Sequence, residues 1–315
     1  MGRKSWLKPS TAAFTREARR TPGYSLFDLL HGYVYGRWPY LYIGVGIGKH
    51  PLARLFGPPV RWLARLLPSG SSDPDHDTFA DKYHGKVVPL DAATQLVTVE
   101  EEISLVGLEQ VIPYTCARDI VLRNPDHIVV LECPCRAARS NPCQPLDVCL
   151  VVGEPFASFI AEHNLERSRW ITPDEAVDIL RAEDERGHVH HAFFKDAMLD
   201  RFYAICNCCA CCCGAMHSHR RGTPMLASSG YVSHVDADLC VGCGICADFC
   251  QFDALSFSNS ADDGIVTVDR LACMGCGACV SKCAQGALSL VRDPDRGEPL
   301  EIRQLVPIHR PESGR

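Results

Sequence analysis

The sequence lacks the long apolar segment that a membrane-spanning helix requires. Its apolar stretch at residues 38–48 has only 11 residues, whereas a helix that crosses a bilayer needs about 20. Residues 1–20 contain no apolar core of a secretion signal, so export is not expected. A nucleotide-binding loop is also missing, because Ile43 and His50 replace the Gly and Ser/Thr of a phosphate loop and Lys49 breaks the dinucleotide fingerprint. These absences make a membrane-embedded protein, a secreted protein and a nucleotide-dependent enzyme less favoured interpretations of the sequence.

Cysteine is the residue type present in excess, with 19 among 315 residues. A disulfide-stabilised fold is one explanation, but that use of cysteine needs a secreted context. The cysteines are also crowded, with six between Cys206 and Cys213, and adjacent cysteines are poor disulfide partners because the bond requires particular Cα separations. We therefore expect reduced thiols in the cytoplasm that serve as metal ligands.

The first 70 residues combine positive charge with aromatic side chains. They carry 11 Lys and Arg against two acidic residues, a net charge of +9, whereas the whole chain has −6. An amphipathic segment at residues 60–67 precedes a linker-like segment at 69–75. This pattern predicts a basic aromatic docking segment, residues 1–75, that contacts a membrane or an acidic partner surface. The alternative is packing on the acidic remainder of the same chain. The side chains expected at the interface are Trp38, Tyr40, Tyr42, Trp62, Leu63, Leu66 and Leu67.

Residues 76–228 alternate between helix and strand signals. The pattern predicts helices over 113–123 and 155–163 and strands over 127–131 and 148–152. The best-marked helix begins at Thr172, with Pro173 at its first position and Glu175 completing a capping box. Gly187 is expected to end that helix. The alternation predicts a small α/β domain.

Residues 229–292 contain an internal repeat. From Cys240 to Leu255, half of the 16 positions are identical to those from Cys273 to Leu288, at an offset of 33 residues. A duplicated unit of this size predicts two halves related by a pseudo-twofold axis. Residues 293–315 are expected to form a C-terminal tail.

Each half of the repeat holds one run of four cysteines with the spacing Cys-x₂-Cys-x₂-Cys-x₃-Cys. Three closely spaced thiolates on a glycine-rich loop can surround one corner of a cubic cluster, and a fourth thiolate in a short helix that leads away can reach another cluster. Zinc is the alternative, but a duplicated three-plus-one run does not match zinc sites of four ligands each. The runs are Cys240, Cys243, Cys246 and Cys250, then Cys273, Cys276, Cys279 and Cys283.

This region closely resembles the bacterial-type two-cluster ferredoxins over about 60 residues. The resemblance implies two [4Fe–4S] clusters, each bound by three cysteines of one run and the last cysteine of the other. In the family pattern proline follows the last cysteine, whereas here Gln251 and Ala284 stand there, so we expect the loop after each run to differ. The implied ligand sets are Cys240, Cys243, Cys246 and Cys283, and Cys273, Cys276, Cys279 and Cys250.

The middle of the chain carries a second and denser set of cysteines. In an extended segment residues i and i+2 point the same way, so Cys133 and Cys135 can bind one metal, as can Cys206 and Cys208. This pattern favours a further metal site, either a third iron–sulfur cluster or zinc, over unligated buried thiols. Cys116 stands alone and is expected in the core. The candidate ligands are Cys133, Cys135, Cys143, Cys149, Cys206, Cys208, Cys209, Cys211, Cys212 and Cys213.

Residues 85–290 as a whole are similar to larger iron–sulfur proteins of anaerobes. Those proteins join a two-cluster ferredoxin domain to an α/β domain with Cys-x-Cys-Arg and Cys-x-Cys-Cys-x-Cys-Cys-Cys motifs, which here begin at Cys133 and Cys206. The resemblance implies an architecture but no substrate. The neighbouring histidines are expected at the surface rather than at a metal. They are His188, His190, His191, His217 and His219.

Together these patterns predict an α+β protein with a basic aromatic N-terminal segment, a cysteine-rich α/β domain at 76–228 and a two-[4Fe–4S] ferredoxin domain at 229–292. The predicted function is single-electron transfer between redox protein partners or subunits of a complex, without a catalytic residue or a nucleic-acid partner. One alternative is a reductase whose middle cysteines bind substrate, and another is an assembly module built on zinc. The expected location is the cytoplasm, with membrane contact through residues 1–70.

Overall fold

The computed structural model describes residues 8–50, 79–257 and 264–305. Three helices come first, followed by a middle region built on one eight-stranded sheet and a C-terminal region with two pairs of strands. Helices and mostly antiparallel strands are thus combined in one α+β fold. Within the described ranges, no helix combines the length and the apolar character needed to cross a bilayer.

The helices and strands follow one another in chain order. The N-terminal helices are α1 (Pro9–Ala18), α2 (Leu26–Arg37) and α3 (Pro39–Gly46). The middle region contains α4 (Phe79–Lys82), β1 (Tyr83–Val88), α5 (Leu90–Val97), β2 (Ile103–Leu105), β3 (Ile120–Glu132), α6 (Pro134–Ala137), β4 (Asp147–Glu154), α7 (Phe156–His163), β5 (Ser168–Ile171), α8 (Pro173–Glu185), β6 (Val189–Lys195), β7 (Arg201–Cys208), α9 (Gly214–Arg220) and β8 (Leu226–Ala227). The C-terminal region contains β9 (Tyr231–Val235), α10 (Ile245–Asp248), β10 (Leu255–Phe257), β11 (Val266–Val268), α11 (Ala278–Ser281), β12 (Leu288–Arg292), a 3₁₀ turn (Pro294–Arg296) and α12 (Ile302–Leu305).

The large sheet has the strand order β2-β3-β4-β7-β6-β1-β8, and β5 also pairs with β3. Its strand pairs are antiparallel except β1 with β8. The middle region thus combines helices and strands as predicted, but its pairing is not the parallel one typical of an α/β domain. Alternating helices and strands do not require parallel pairing, because short connections such as that between β6 and β7 make neighbouring strands antiparallel.

The predictions of local structure from sequence are partly confirmed. The Thr172 side chain accepts a hydrogen bond from the Glu175 amide, and the Glu175 carboxylate accepts one from the Thr172 amide, so the predicted capping box is confirmed. The strands predicted at 127–131 and 148–152 lie within β3 and β4. The helix predicted over 113–123 is wrong, because residues 120–122 pair with β2 as the start of β3.

The N-terminal helices pack against the middle region and share its core. Phe14 of α1 is buried, and its ring lies 5.3 Å from that of Phe159 and 6.3 Å from that of Phe156 in α7. The hydroxyls of Tyr35 in α2 and Tyr203 in β7 are 2.6 Å apart. The described part of the basic segment thus packs on its own chain, which is the alternative considered above. Docking on another surface stays a prediction. Part of the segment on which it rests lies outside the described residues, namely residues 60–67, the linker at 69–75 and the side chains Trp62, Leu63, Leu66 and Leu67.

The C-terminal region has matching halves. β9 pairs with β12 and β10 pairs with β11, and both pairs are antiparallel. Val235 lies opposite Leu288, and Val268 lies opposite Leu255. The 33-residue offset relates Val235 to Val268 and Leu255 to Leu288, so the repeat in the sequence is also a repeat of strand pairing.

Candidate functional site: two cysteine-lined cavities and a second thiol-rich centre

The two cysteine runs meet at two small cavities in the C-terminal region. Three thiols of one run and the last thiol of the other run line each cavity. The structure therefore groups these cysteines in the crossed sets that the ferredoxin resemblance implies. The sets are Cys240, Cys243, Cys246 and Cys283 at one cavity, which we call the outer cavity, and Cys250, Cys273, Cys276 and Cys279 at the other, which we call the inner cavity.

Glycine shapes the two ligand loops in the same way. Gly242 and Gly275 have φ angles of 63° and 64°, which favour glycine. A Cβ atom at Gly242 would collide with the carbonyl oxygen of Gly264, and one at Gly275 would collide with that of Tyr231. Only glycine lets each loop lie this close to the neighbouring backbone, which places the first three thiols of each run around a common point.

Backbone amides point at the sulfur that each run donates to the other cavity. The Ala254 amide lies 3.3 Å from Cys250 Sγ, and the Ala287 amide lies 3.3 Å from Cys283 Sγ. Amides in this position stabilise negative charge on a thiolate and influence the reduction potential of a bound cluster. The two contacts are equivalent under the 33-residue offset.

Ser233 makes the inner cavity different from the outer one. Its amide lies 3.4 Å from Cys273 Sγ, and its hydroxyl lies 3.3 Å from Cys279 Sγ. The equivalent position in the other half is Val266, which lines the outer cavity and has no hydroxyl to donate. A group bound at the inner cavity would thus receive hydrogen bonds that the outer cavity does not repeat.

Solvent exposure separates the two cavities as well. Cys273 and Cys279 are buried, and burial raises the pKa of Cys279 to about 11. Burial likewise raises the pKa of Cys276. Such thiols ionise readily only when a cation compensates their charge, and four thiolates around one cavity are the donor set of a [4Fe–4S] cluster. Cys243 of the outer set is exposed.

Ten further cysteines of the middle region lie in two groups, not in one. Four of them form a compact group, which we call the tetrad, whose sulfurs all lie within 4.8 Å of one another. Six others line an interior cavity, which we call the six-thiol ring. The tetrad consists of Cys143, Cys209, Cys211 and Cys212. The ring consists of Cys133, Cys135, Cys149, Cys206, Cys208 and Cys213.

The sulfur separations in the tetrad suit a single metal ion. Cys143 Sγ and Cys209 Sγ each lie 3.1 Å from Cys211 Sγ, and Cys212 Sγ lies 3.7 Å from it. A tetrahedral site with metal–sulfur bonds of about 2.3 Å places its sulfurs about 3.8 Å apart. The thiolates of a cubic cluster bind four different irons and lie farther apart. The donor set therefore fits one zinc or iron ion better than a cluster.

The six-thiol ring is held by paired strands and by the helix that follows β3. Cys149 of β4 lies opposite Cys206 of β7 in the sheet. Cys133 and Cys135 flank Pro134, which begins α6. Hydrogen bonds from Cys149 and Cys208 lower the pKa of Cys206 to about 6. The ring thus contains a thiol that its neighbours help to ionise.

A buried cation adjoins the ring. Arg136, the residue that completes the Cys-x-Cys-Arg motif, is only 1% exposed and lines the ring cavity. Its guanidinium donates hydrogen bonds to the Glu183 carboxylate and to the Asn207 carbonyl oxygen. Arg136 also helps to lower the pKa of Cys206, after the neighbouring thiols. The sequence motif contained Arg136, but its role follows only from the fold, since Glu183 is 47 residues away along the chain.

The histidines near this centre are interior residues. His188, His190 and His191 are all buried, so the expectation of surface positions is wrong for them. His188 Nδ1 lies 2.6 Å from the Glu183 carboxylate, and His190 Nδ1 lies 2.5 Å from the Asn207 side-chain oxygen. His188 and His190 thus support the network around Arg136.

Cys116, which was expected in the core, is half-buried and lies outside both cysteine groups.

Gln251 connects the inner cavity to the tetrad. Its side-chain oxygen accepts a hydrogen bond of 2.8 Å from the Ala210 amide, and its side-chain nitrogen donates one of 3.0 Å to the Gly187 carbonyl oxygen. Ala210 lies between Cys209 and Cys211 of the tetrad, and Gln251 directly follows Cys250 of the inner set. The residue that replaces the ferredoxin proline thus makes a contact between the two cysteine centres.

Comparisons with known proteins agree with the geometry of the C-terminal cavities. Residues 239–287 match the family described as the 4Fe-4S dicluster domain. A protein of Methanosarcina thermophila described as a probable ferredoxin is 53% identical over 38 residues, which are 12% of this chain and 60% of that protein. The chain thus spans less than two thirds of the length of this curated relative. The C-terminal region, with its crossed cysteine sets, is a 4Fe-4S ferredoxin-type domain.

Proposed function

We propose that this protein relays single electrons between redox partners through two [4Fe–4S] clusters. The observation that carries the proposal is the crossed grouping of eight cysteines around two cavities. A [4Fe–4S] cluster supplies one-electron redox chemistry when it is bound. The chain supplies thiolates, excludes water at the inner cavity and donates hydrogen bonds to sulfur. The outer ligands are Cys240, Cys243, Cys246 and Cys283, and the inner ligands are Cys273, Cys276, Cys279 and Cys250.

The outer cavity is the proposed contact site for a redox protein partner. Its Cys243 is exposed, and three apolar side chains around it also face solvent: Leu239 is 49%, Val241 67% and Ile245 45% exposed. Exposed apolar groups beside a redox site favour close approach of another protein. The inner cavity faces the middle region through Gln251. Electrons would thus enter or leave at the outer face and reach the thiol-rich centre from the inner side.

The tetrad is the proposed additional metal site of the middle region. Four of its six sulfur–sulfur distances lie between 3.1 and 3.7 Å and all six are within 4.8 Å, which fits one tetrahedral zinc or iron ion. Arg139 donates two hydrogen bonds to the Cys212 carbonyl oxygen, which fixes the loop that carries three of the ligands. A metal there would also stabilise the surface that Gln251 contacts.

We further propose that the N-terminal segment holds the protein on the anionic cytoplasmic surface of a membrane. Leu26, Phe27 and Leu30 on α2 are 71%, 74% and 57% exposed. The positive charges of the segment would attract anionic lipid, and these apolar side chains would enter the interface. The face of α2 that carries Tyr35 is packed on the middle region. Docking would therefore use the face of α2 that the fold leaves exposed.

Replacing Cys283 by Ala should deprive the outer cavity of its fourth ligand. We expect Cys240, Cys243 and Cys246 to react with an alkylating reagent in the anaerobic native variant, because their cluster is lost, while Cys273, Cys276 and Cys279 stay protected. Peptide mass spectrometry identifies the labelled cysteines. The Cys250→Ala variant is the reciprocal control and should show the opposite pattern. Labelling of the cysteines in the same run as the replaced residue would disprove the crossed ligation.

Replacing Gln251 by Ala should loosen the contact between the ferredoxin-type region and the tetrad. The Ala210 amide loses its hydrogen-bond acceptor, so we expect its hydrogen exchange to become at least severalfold faster, as measured by exchange coupled to mass spectrometry. Gln285→Ala is the matched control, because Gln285 is an exposed glutamine in the other ligand loop. Equal exchange at Ala210 in the wild-type protein and the Gln251→Ala variant would show that this contact does not hold the two regions together.

Replacing Phe27 by Asp should weaken membrane association. Burial of a phenylalanine side chain contributes about 1.5–3 kcal/mol, so we expect roughly a tenfold or greater loss of binding to vesicles that contain anionic lipid. Co-sedimentation at low salt measures the bound fraction. Leu165→Asp is the control, since Leu165 is 76% exposed but lies outside the N-terminal segment. The same bound fraction for both variants and the wild-type protein would rule out docking through α2.

A further inference from the structure

We propose that the six-thiol ring binds a third iron–sulfur cluster that is larger than a [4Fe–4S] cubane and uses more than four thiolates. The proposed function requires only the two clusters of the ferredoxin-type region and one metal ion at the tetrad. The ring is a separate site, and four observations about its thiols, its volume, its charge and its enclosure support a polynuclear centre.

The first observation is that the fold brings the ring thiols from three parts of the chain to one cavity. Cys149 of β4 lies opposite Cys206 of β7, and Cys208 follows on the same strand. Cys213 directly precedes α9, and a Cβ atom at the next residue, Gly214, would lie 3.8 Å from Cys135 Sγ. Thiols that are distant in sequence thus line a common space.

The second observation is the number of donors and the room they enclose. A cubane uses one cysteine for each of its four irons, so it would leave two of the six ring thiols without iron. The ring cavity has a volume of about 70 Å³, whereas the inner and outer cavities have about 20 Å³ each. Both comparisons indicate a centre larger than those expected in the ferredoxin-type region.

The third observation is that a ring of bound thiolates would have little positive charge beside it. Several thiolates in one apolar cavity would repel one another, and burial without compensation is costly. Arg136 is the charged side chain that lines this cavity, and its charge is shared with Glu183. One guanidinium cannot neutralise several thiolates, whereas several iron ions can. The tetrad adjoins the same cavity through Cys209 and Cys212, so it adds further negative charge.

The fourth observation concerns access. Cys133, Cys149, Cys208 and Cys213 are all less than 9% exposed. Tyr35 of the N-terminal helix α2 lines the cavity and is held there by its hydrogen bond to Tyr203. The N-terminal segment therefore helps to enclose the ring and keep water out. Such an enclosed site suits the storage of electrons delivered by the ferredoxin-type region.

The test is metal and sulfide analysis of the full-length protein purified without oxygen. Two cubanes contribute about eight irons. We expect more than four irons beyond that number and beyond any single iron at the tetrad, together with additional sulfide. We also expect the Cys149→Ala and Cys213→Ala variants to lose the same iron–sulfur absorption and paramagnetic signals. These residues lie on different elements of the ring, whereas the control Cys116→Ala replaces a cysteine outside both groups and should keep all signals.

The iron content of the wild-type protein decides the proposal even if a ring variant does not fold. About eight irons, or about nine with iron at the tetrad, would overturn it. About twelve irons, or about thirteen with iron at the tetrad, would also overturn it, because an ordinary cubane would then occupy the ring and two of the ring thiols would be open to alkylation. Wild-type protein that shows the ring signals but has no iron in the two C-terminal cavities would instead contradict the proposed crossed clusters. The two failures are therefore distinguishable.

Discussion

The exchange of one cysteine between the two halves of the repeat is the constraint on which the C-terminal region depends. Cys250 leaves its own run and lines the inner cavity, and Cys283 leaves its run and lines the outer cavity. Neither half can therefore complete a set of four thiols alone. The strand pairs β9–β12 and β10–β11, with their equivalent registers, hold the halves in the position that this exchange requires. Glycines at 242 and 275 let the ligand loops close against those strands.

The same crossing also links the C-terminal region to the rest of the chain. Because Cys250 reaches the inner cavity, the residue after it, Gln251, lies against the loop of the tetrad and binds the Ala210 amide. Ser233 adds a hydroxyl at the inner cavity, where its counterpart Val266 offers none. Hydrogen bonds to sulfur stabilise the reduced, more negative state of a cluster. The inner site therefore differs from the outer site in both its electrostatics and its neighbours.

Three thiols of each C-terminal set could be predicted from local spacing, whereas the fourth, from the other run, was implied by the resemblance to two-cluster ferredoxins. The three-residue spacings and the glycines between them place three thiols together whatever the rest of the chain does. The division of the ten middle cysteines could not be predicted in this way. Cys149 and Cys206 meet only because β4 pairs with β7, and Cys143 joins Cys211 across 68 residues. Counting cysteines indicated a metal site, but only long-range pairing separates a ring of six from a tetrad.

Other differences between prediction and structure have the same origin. Residues 120–122 were assigned to a helix, but pairing with β2 makes them a strand. Alternation along a strand suggested that some histidines near residue 190 face solvent, yet all seven residues of β6 are buried, so both of its faces are covered. The aromatic side chains of the N-terminal segment were expected at an external interface, whereas one of them lines the six-thiol ring. Tyr35 shows this best, because it combines a buried ring with a hydrogen bond to Tyr203.

Anomalous X-ray diffraction at the iron and zinc absorption edges, from crystals grown without oxygen, tests the central claim most directly. The account predicts one group of four irons in the outer cavity and another in the inner cavity, each bound by three cysteines of one run and the last of the other. It also predicts a single metal ion at the tetrad and a separate, larger group of irons inside the six-thiol ring. Iron groups bound by all four cysteines of one run, or anomalous peaks absent from the two C-terminal cavities, would contradict it.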